Sequence, residues 1–138
     1  MAVNFDFREE GNSPFGKISR PFAKIKFHAV QSSDKVVIWL IIDTGADYTI
    51  LPRQWAKKLD IDLQRDCWAL ETSGIGGGVK SYFFKKLVKI EMGDIKKEVP
   101  VAFFDDDNAP ALLGRLGFIE LFDTLFVGNK QIIFTERR

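Results

Sequence analysis

A chain of 138 residues with 46% apolar residues has the length of one domain with its own core, and that apolar content excludes a disordered chain. Twenty basic residues against 19 acidic ones leave a net charge of +1, which excludes a strong general field for nucleic acid or an anionic membrane. The single cysteine, Cys67, excludes an intrachain disulfide and reads as a small, buried or half-buried hydrophobe.

The opening residues, Met1-Ala2-Val3-Asn4-Phe5-Asp6, place an acid where a secretory leader needs a basic start and an apolar core. The longest apolar run, 36–42, is far too short to span a bilayer. The expectation is a soluble, cytoplasmic protein with no membrane partner. Asn12-Ser13-Pro14 and Ser32-Ser33-Asp34 are turn signals. Between them Ile25, Phe27 and Ala29 alternate with Lys24, Lys26 and His28, the pattern of a half-exposed strand, with His28 expected in solvent. The run 36–42 reads as a buried strand, joined to the previous one by a hairpin at 32–35. Pro52 suits the first position of a short helix over 52–59.

A strand is expected at 68–72. The glycine-rich Ser73-Gly74-Ile75-Gly76-Gly77-Gly78 is then expected to break regular structure before a strand at 79–84. Val88, Ile90 and Met92 alternate with Lys89 and Glu91 up to a turn at Gly93-Asp94. Pro100 interrupts the next strand, 99–104, and suggests a sheet edge. Asp105-Asp106-Asp107-Asn108 reads as a solvated loop. It lacks the glycine and distal Glu of a calcium loop. Residues 111–113 form a short buried strand ending at Gly114, 116–122 one or two helical turns, and 125–127 and 131–135 a final hairpin around Gly128-Asn129-Lys130. Thirteen Phe and three Trp, with many short strands at regular spacing, indicate an all-β barrel or sandwich.

Three segments carry chemistry. Asp43-Thr44-Gly45-Ala46-Asp47 follows the apolar run directly, so a carboxylate stands where the strand ends. A carboxylate can act as general base toward water, a neighbouring hydroxyl can hold its loop, and a glycine lets backbone N–H groups approach it. Taken alone, the triplet is also an ordinary turn with Asp capping the backbone. Gly74 to Ser81 approaches the spacing of a phosphate-binding loop, but Val79 stands at its second glycine, and Tyr82-Phe83-Phe84 reads as a strand where that loop needs a helix. A glycine-rich hairpin between two strands better suits a mobile flap. The third segment, Leu112-Leu113-Gly114-Arg115, reads alone as a strand-to-helix corner with a surface cation. One His and one Cys cannot build a protein zinc site.

In this order, the three segments resemble those of the retropepsin-like aspartic proteases over roughly residues 36–127. The resemblance implies a compact all-β, retropepsin-like (acid protease) barrel with one or two short helices, spanning residues 1–138 as one domain. It implies an aspartic endopeptidase in which Asp43 is the catalytic carboxylate and Thr44 and Gly45 build its loop. Ala46, Asp47, Ile75, Gly76 and Gly77 would meet an extended peptide substrate, the last three as flap tip. Arg115 would pair with Asp47, and Leu112, Leu113 and Gly114 would support the loop. No metal or cofactor is implied. One Asp-Thr-Gly per chain implies a homodimer, because the chemistry needs two carboxylates around one water. The rival expectation is a peptide-binding or assembly module that keeps the fold without useful hydrolysis. Three features depart from the family pattern: an N-terminal extension, residues 1–21, without a counterpart; Tyr48 where a smaller or polar residue is common; and a tail, 131–138, past the point where short retroviral chains end.

Overall fold

The computed structural model describes residues 1–74 and 77–137, and at 72–74 and 77 the backbone alone. Twelve strands run in chain order: β1 (Ala2–Ser13), β2 (Gly16–His28), β3 (Lys35–Ile42), β4 (Ile50–Leu51), β5 (Cys67–Gly74), β6 (Gly77–Phe84), β7 (Val88–Met92), β8 (Ile95–Val99), β9 (Ala102–Phe104), β10 (Leu112–Leu113), β11 (Phe122–Val127) and β12 (Gln131–Glu136). A five-residue helix, α1 (Gln54–Lys58), follows β4, and one 3-10 turn, Ile119–Leu121, precedes β11. The strands pair in the order β11-β12-β1-β2-β3-β10-β4-β9-β6-β5, with β7 paired to β2 off this path and β8 paired to β7. The chain is all-β as expected, but the sheet does not close on itself. Among the described residues, no helix is long and apolar enough to cross a membrane.

Alternation builds the core. On β2, Ile25 and Phe27 are fully buried while Lys24 and Lys26 face out. The β3 run is buried only at Ile38, Leu40 and Ile42; Val37 and Trp39 are 43% and 48% exposed, so the run is one-sided although its sequence is apolar throughout. The Arg8 guanidinium lies 4.9 Å from the Trp39 ring centroid and 4.1 Å from that of Phe22, so a cation covers part of this outer face. Cys67 is buried, and burial pushes its thiol up to about 11.

The structure corrects several expectations. Residues 1–21 are an integral part of the sheet: β1 lies between β12 and β2, and its Val3, Phe5 and Phe7 pack against the core. The strand expected at 99–104 is two elements broken at Pro100, and β9 is internal, between β4 and β6. Pro100 sits in the break, where no ladder bond needs its missing N–H. The glycine-rich stretch does not end regular structure at Ser73: β5 runs to Gly74, β6 starts at Gly77, and those two glycines pair. His28 is half-buried, and its Nε2 donates to Glu91 Oε2 at 2.6 Å.

Candidate active site

The backbone at Asp43 is held by parallel pairing. Ile41 and Ile42 on β3 pair with Leu112 and Leu113 on β10. The ladder reaches one residue past β3, where the Asp43 N–H donates to the Leu113 carbonyl at 3.0 Å. Leu113 is fully buried and Leu112 half-buried. Asp43 is therefore anchored to a sheet interior by its backbone while its side chain stands at the end of the strand, half-buried.

The chain then turns at once. The Ala46 N–H donates to the Asp43 carbonyl at 3.1 Å, and the Gly45 N–H donates to Asp43 Oδ1 at 2.9 Å. A side chain at Gly45 would begin 3.3 Å from that same oxygen, so glycine lets the N–H reach the carboxylate uncrowded. Oδ1 is fixed in this way, and Oδ2 has no protein partner among the described residues. Thr44 is exposed beside it.

A second strap lies beyond the turn. The Arg115 and Leu116 N–H groups donate to the Ala46 and Asp47 carbonyls at 3.0 and 2.8 Å. Arg115 Nη2 meets Asp47 Oδ1 at 2.6 Å, a pair more than half exposed. The Gly114 N–H donates to the buried Thr49 hydroxyl at 3.0 Å. The segments expected to act together, 43–47 and 112–115, are thus joined on both sides of Asp43, although nearly seventy positions apart in the chain. The expected contacts at Ile75 and Gly76 lie outside the described residues.

Two features beside the turn were not legible in the sequence. Thr49 is buried and carries the bond that seats Gly114. Tyr48 meets Phe83 of β6 edge-on at 5.0 Å between centroids, tying the β5–β6 hairpin to the Asp43 loop. Next to it a cavity of about 370 Å³ is lined by Tyr48, Trp68, Leu70, Phe83, Pro100 and Leu116, an apolar hollow within reach of the loop. The unusual Tyr48 was the one available signal for it. Among the described residues, no three His, Cys, Asp or Glu side chains gather as metal ligands.

The sequence pattern of the aspartyl protease family matches residues 29–115, more than half of the chain. The chain belongs to the aspartyl protease family. The matched stretch contains the Asp43 turn, the β5–β6 hairpin and the 112–115 segment. A search of curated protein sequences gives no match. Among solved structures, the chain is similar to a retropepsin-like aspartic protease from Rickettsia conorii, with a TM-score of 0.63 and 18% identity, over 96% of this chain and 98% of that one. The fold of this aspartyl protease family member is therefore retropepsin-like, and the likeness extends across its N-terminal strands as well as the matched stretch.

Proposed function

We propose that this chain is an aspartic endopeptidase that acts as a homodimer, with Asp43 of each protomer facing its counterpart across a two-fold axis. The observation that carries this reading is the Asp43 carboxylate itself. One of its oxygens is held by the Gly45 N–H and the other has no partner among the described residues, in a chain with a single Asp-Thr-Gly. Two such carboxylates in contact cannot both ionise cheaply, so they share a proton. The ionised one takes a proton from the bound water. That water attacks the peptide carbonyl carbon, and the protonated partner gives its proton to the carbonyl oxygen. The tetrahedral intermediate then collapses: the carboxyl that took the water's proton gives it to the nitrogen, the C–N bond breaks, and the other carboxylate takes the proton of one hydroxyl, which restores the dyad with one shared proton.

In this reading Ala46 and Asp47 bind the substrate backbone, Arg115 holds Asp47 in place, and Leu112, Leu113 and Gly114 support the loop. The hairpin of β5 and β6, with Ile75, Gly76 and Gly77 at its tip, closes over an extended peptide.

Asp43→Asn tests the chemistry. It is expected to lower cleavage of an unstructured protein by about a thousandfold or more while leaving fold and assembly intact. Undiminished cleavage by that variant would remove Asp43 from the mechanism. Sedimentation tests the shared dyad, because a single-chain mass in a sample that still cleaves would refute it. Peptide binding without turnover from acidic to neutral pH would instead make the chain a binding module.

A further inference from the structure

We propose that the outer face of β3, β2, β7 and β8 binds single-stranded nucleic acid, with phosphates on its lysines and a base stacked on Trp39. The surface is separate from the Asp43 turn and uses none of the residues assigned to peptide cleavage.

The four strands lie side by side: β3 pairs with β2, β2 with β7, and β7 with β8. Alternation sends Ile25, Phe27, Ile38, Leu40, Val88 and Ile90 into the core and their neighbours outward. The outward set is lopsided in charge. It holds Lys24, Lys26, Lys35, Lys89 and Lys96, whereas the carboxylates on these strands are Glu91 and Glu98. Glu91 is already engaged, by His28 at 2.6 Å and by Lys35 at 3.3 Å. Lys24, Lys26, Lys89 and Lys96 have no carboxylate in ion-pair reach among the described residues. The net charge of +1 for the whole chain thus conceals a basic face, whose local field attracts a polyanion.

The ring among these lysines decides which polyanion. In the β2–β3 register Trp39 stands opposite Lys24, and Val37 opposite Lys26. Beside them a hollow of about 220 Å³ is lined by Lys24, Lys26, Val37, Glu91 and Gly93. The Arg8 guanidinium packs on the Trp39 and Phe22 rings, which steadies the indole and adds a cation beside it. An acidic protein segment would use the lysines and leave the indole in water. An anionic bilayer needs a broader apolar surface than one indole and one valine. A nucleobase has a flat face to lay on the indole while the phosphates on either side reach the lysines, the combination that single-strand binders use. Three inter-strand spacings, about 14 Å in all, separate β3 from β8, room for a strand of a few nucleotides.

The test is fluorescence anisotropy with the full chain and labelled thymidine (DNA) and uridine (RNA) oligomers of about twelve nucleotides. Wild type is expected to bind at low salt, and the tighter of the two oligomers tells which sugar the face prefers. Lys24→Gln combined with Lys26→Gln is expected to weaken binding about tenfold and to flatten the slope of log affinity against log salt by roughly 1.4, two phosphate contacts' worth. Trp39→Ala is expected to weaken binding about fivefold with that slope unchanged, and Trp39→Phe to restore most of the loss, because a phenyl ring still stacks. These side chains are exposed, so the thermal midpoints are expected to hold. Absence of binding at about 100 μM protein in low salt overturns the proposal. A Trp39→Ala chain that binds as tightly as wild type overturns it too, and poly-glutamate or phosphatidylserine vesicles bound more tightly than the oligomers would make the face a site for acidic protein or for membrane instead. Asp43→Asn is expected to bind the oligomers like wild type, so this reading and the catalytic one fail separately.

Discussion

At Gly114 the third segment runs so close to the loop after Asp43 that a Cβ would collide with the Tyr48 carbonyl. The obstacle is backbone, held by the Thr49 and Leu116 hydrogen bonds, and cannot swing aside. Gly114→Ala is therefore expected to cost about 3 kcal/mol or more in a urea titration, at the upper end of overpacking. The neighbouring Arg115→Ala removes only an exposed ion pair and is expected to cost less than about 1 kcal/mol in the same titration. A second residue-scale expectation concerns acid. The hydrogen bond from His28, with help from Lys35, holds the Glu91 carboxyl below its ordinary 4.5 despite partial burial. A carboxylate lowered on folding stabilises the protein fully above its unfolded value and loses that contribution as pH falls through the folded one. Stability should thus decline as pH drops below 4.5, and Glu91→Gln should flatten that decline in denaturation midpoints taken across the acid range. Glu136, lowered chiefly by the Lys97 hydrogen bond, adds to the same slope.

Among the elements, β1 departs furthest from the sequence reading. Its half-buried Val3, Phe5 and Phe7 pack against the core, with Phe5 edge-on to Phe134 at 6.0 Å. At about 1.5–3 kcal/mol for each large apolar side chain fully buried, three half-buried ones contribute roughly 2–5 kcal/mol. Deleting residues 1–13 should lower the urea midpoint accordingly and bare the β12 edge; an unchanged midpoint would mean that β1 adds nothing to the fold. The alternation Val3, Phe5, Phe7 was present in the sequence. It was hard to assign because its partner strand, β12, lies at the other end of the chain. β4 and β10 are two residues each, too short for any periodicity, and exist because Leu112 sits between Ile41 and Ile50.

For the whole molecule, the proposed shared site would make activity a property of the pair. When Asp43→Asn chains are mixed one-to-one with wild type and allowed to exchange, about one quarter of the dimers carry two intact carboxylates, the random pairing of an isologous dimer. Cleavage by the mixture is expected to fall to about that fraction of an all-wild-type sample at equal total chain. A fall to one half would mean that each chain works alone. The amino-acid sequence alone determined the all-β class, most strand positions, the Asp43 turn and its two companion segments, because alternation, turn residues and short motifs are local and survive in one dimension. Only the tertiary structure decided that β1 completes the sheet, that Pro100 divides two strands, that Trp39 faces out of an apolar run, and that Tyr48 and Thr49 lock the loop. Each of these depends on which distant segment arrives opposite, and the free energy of that pairing lies in packing and hydrogen bonds between residues tens of positions apart.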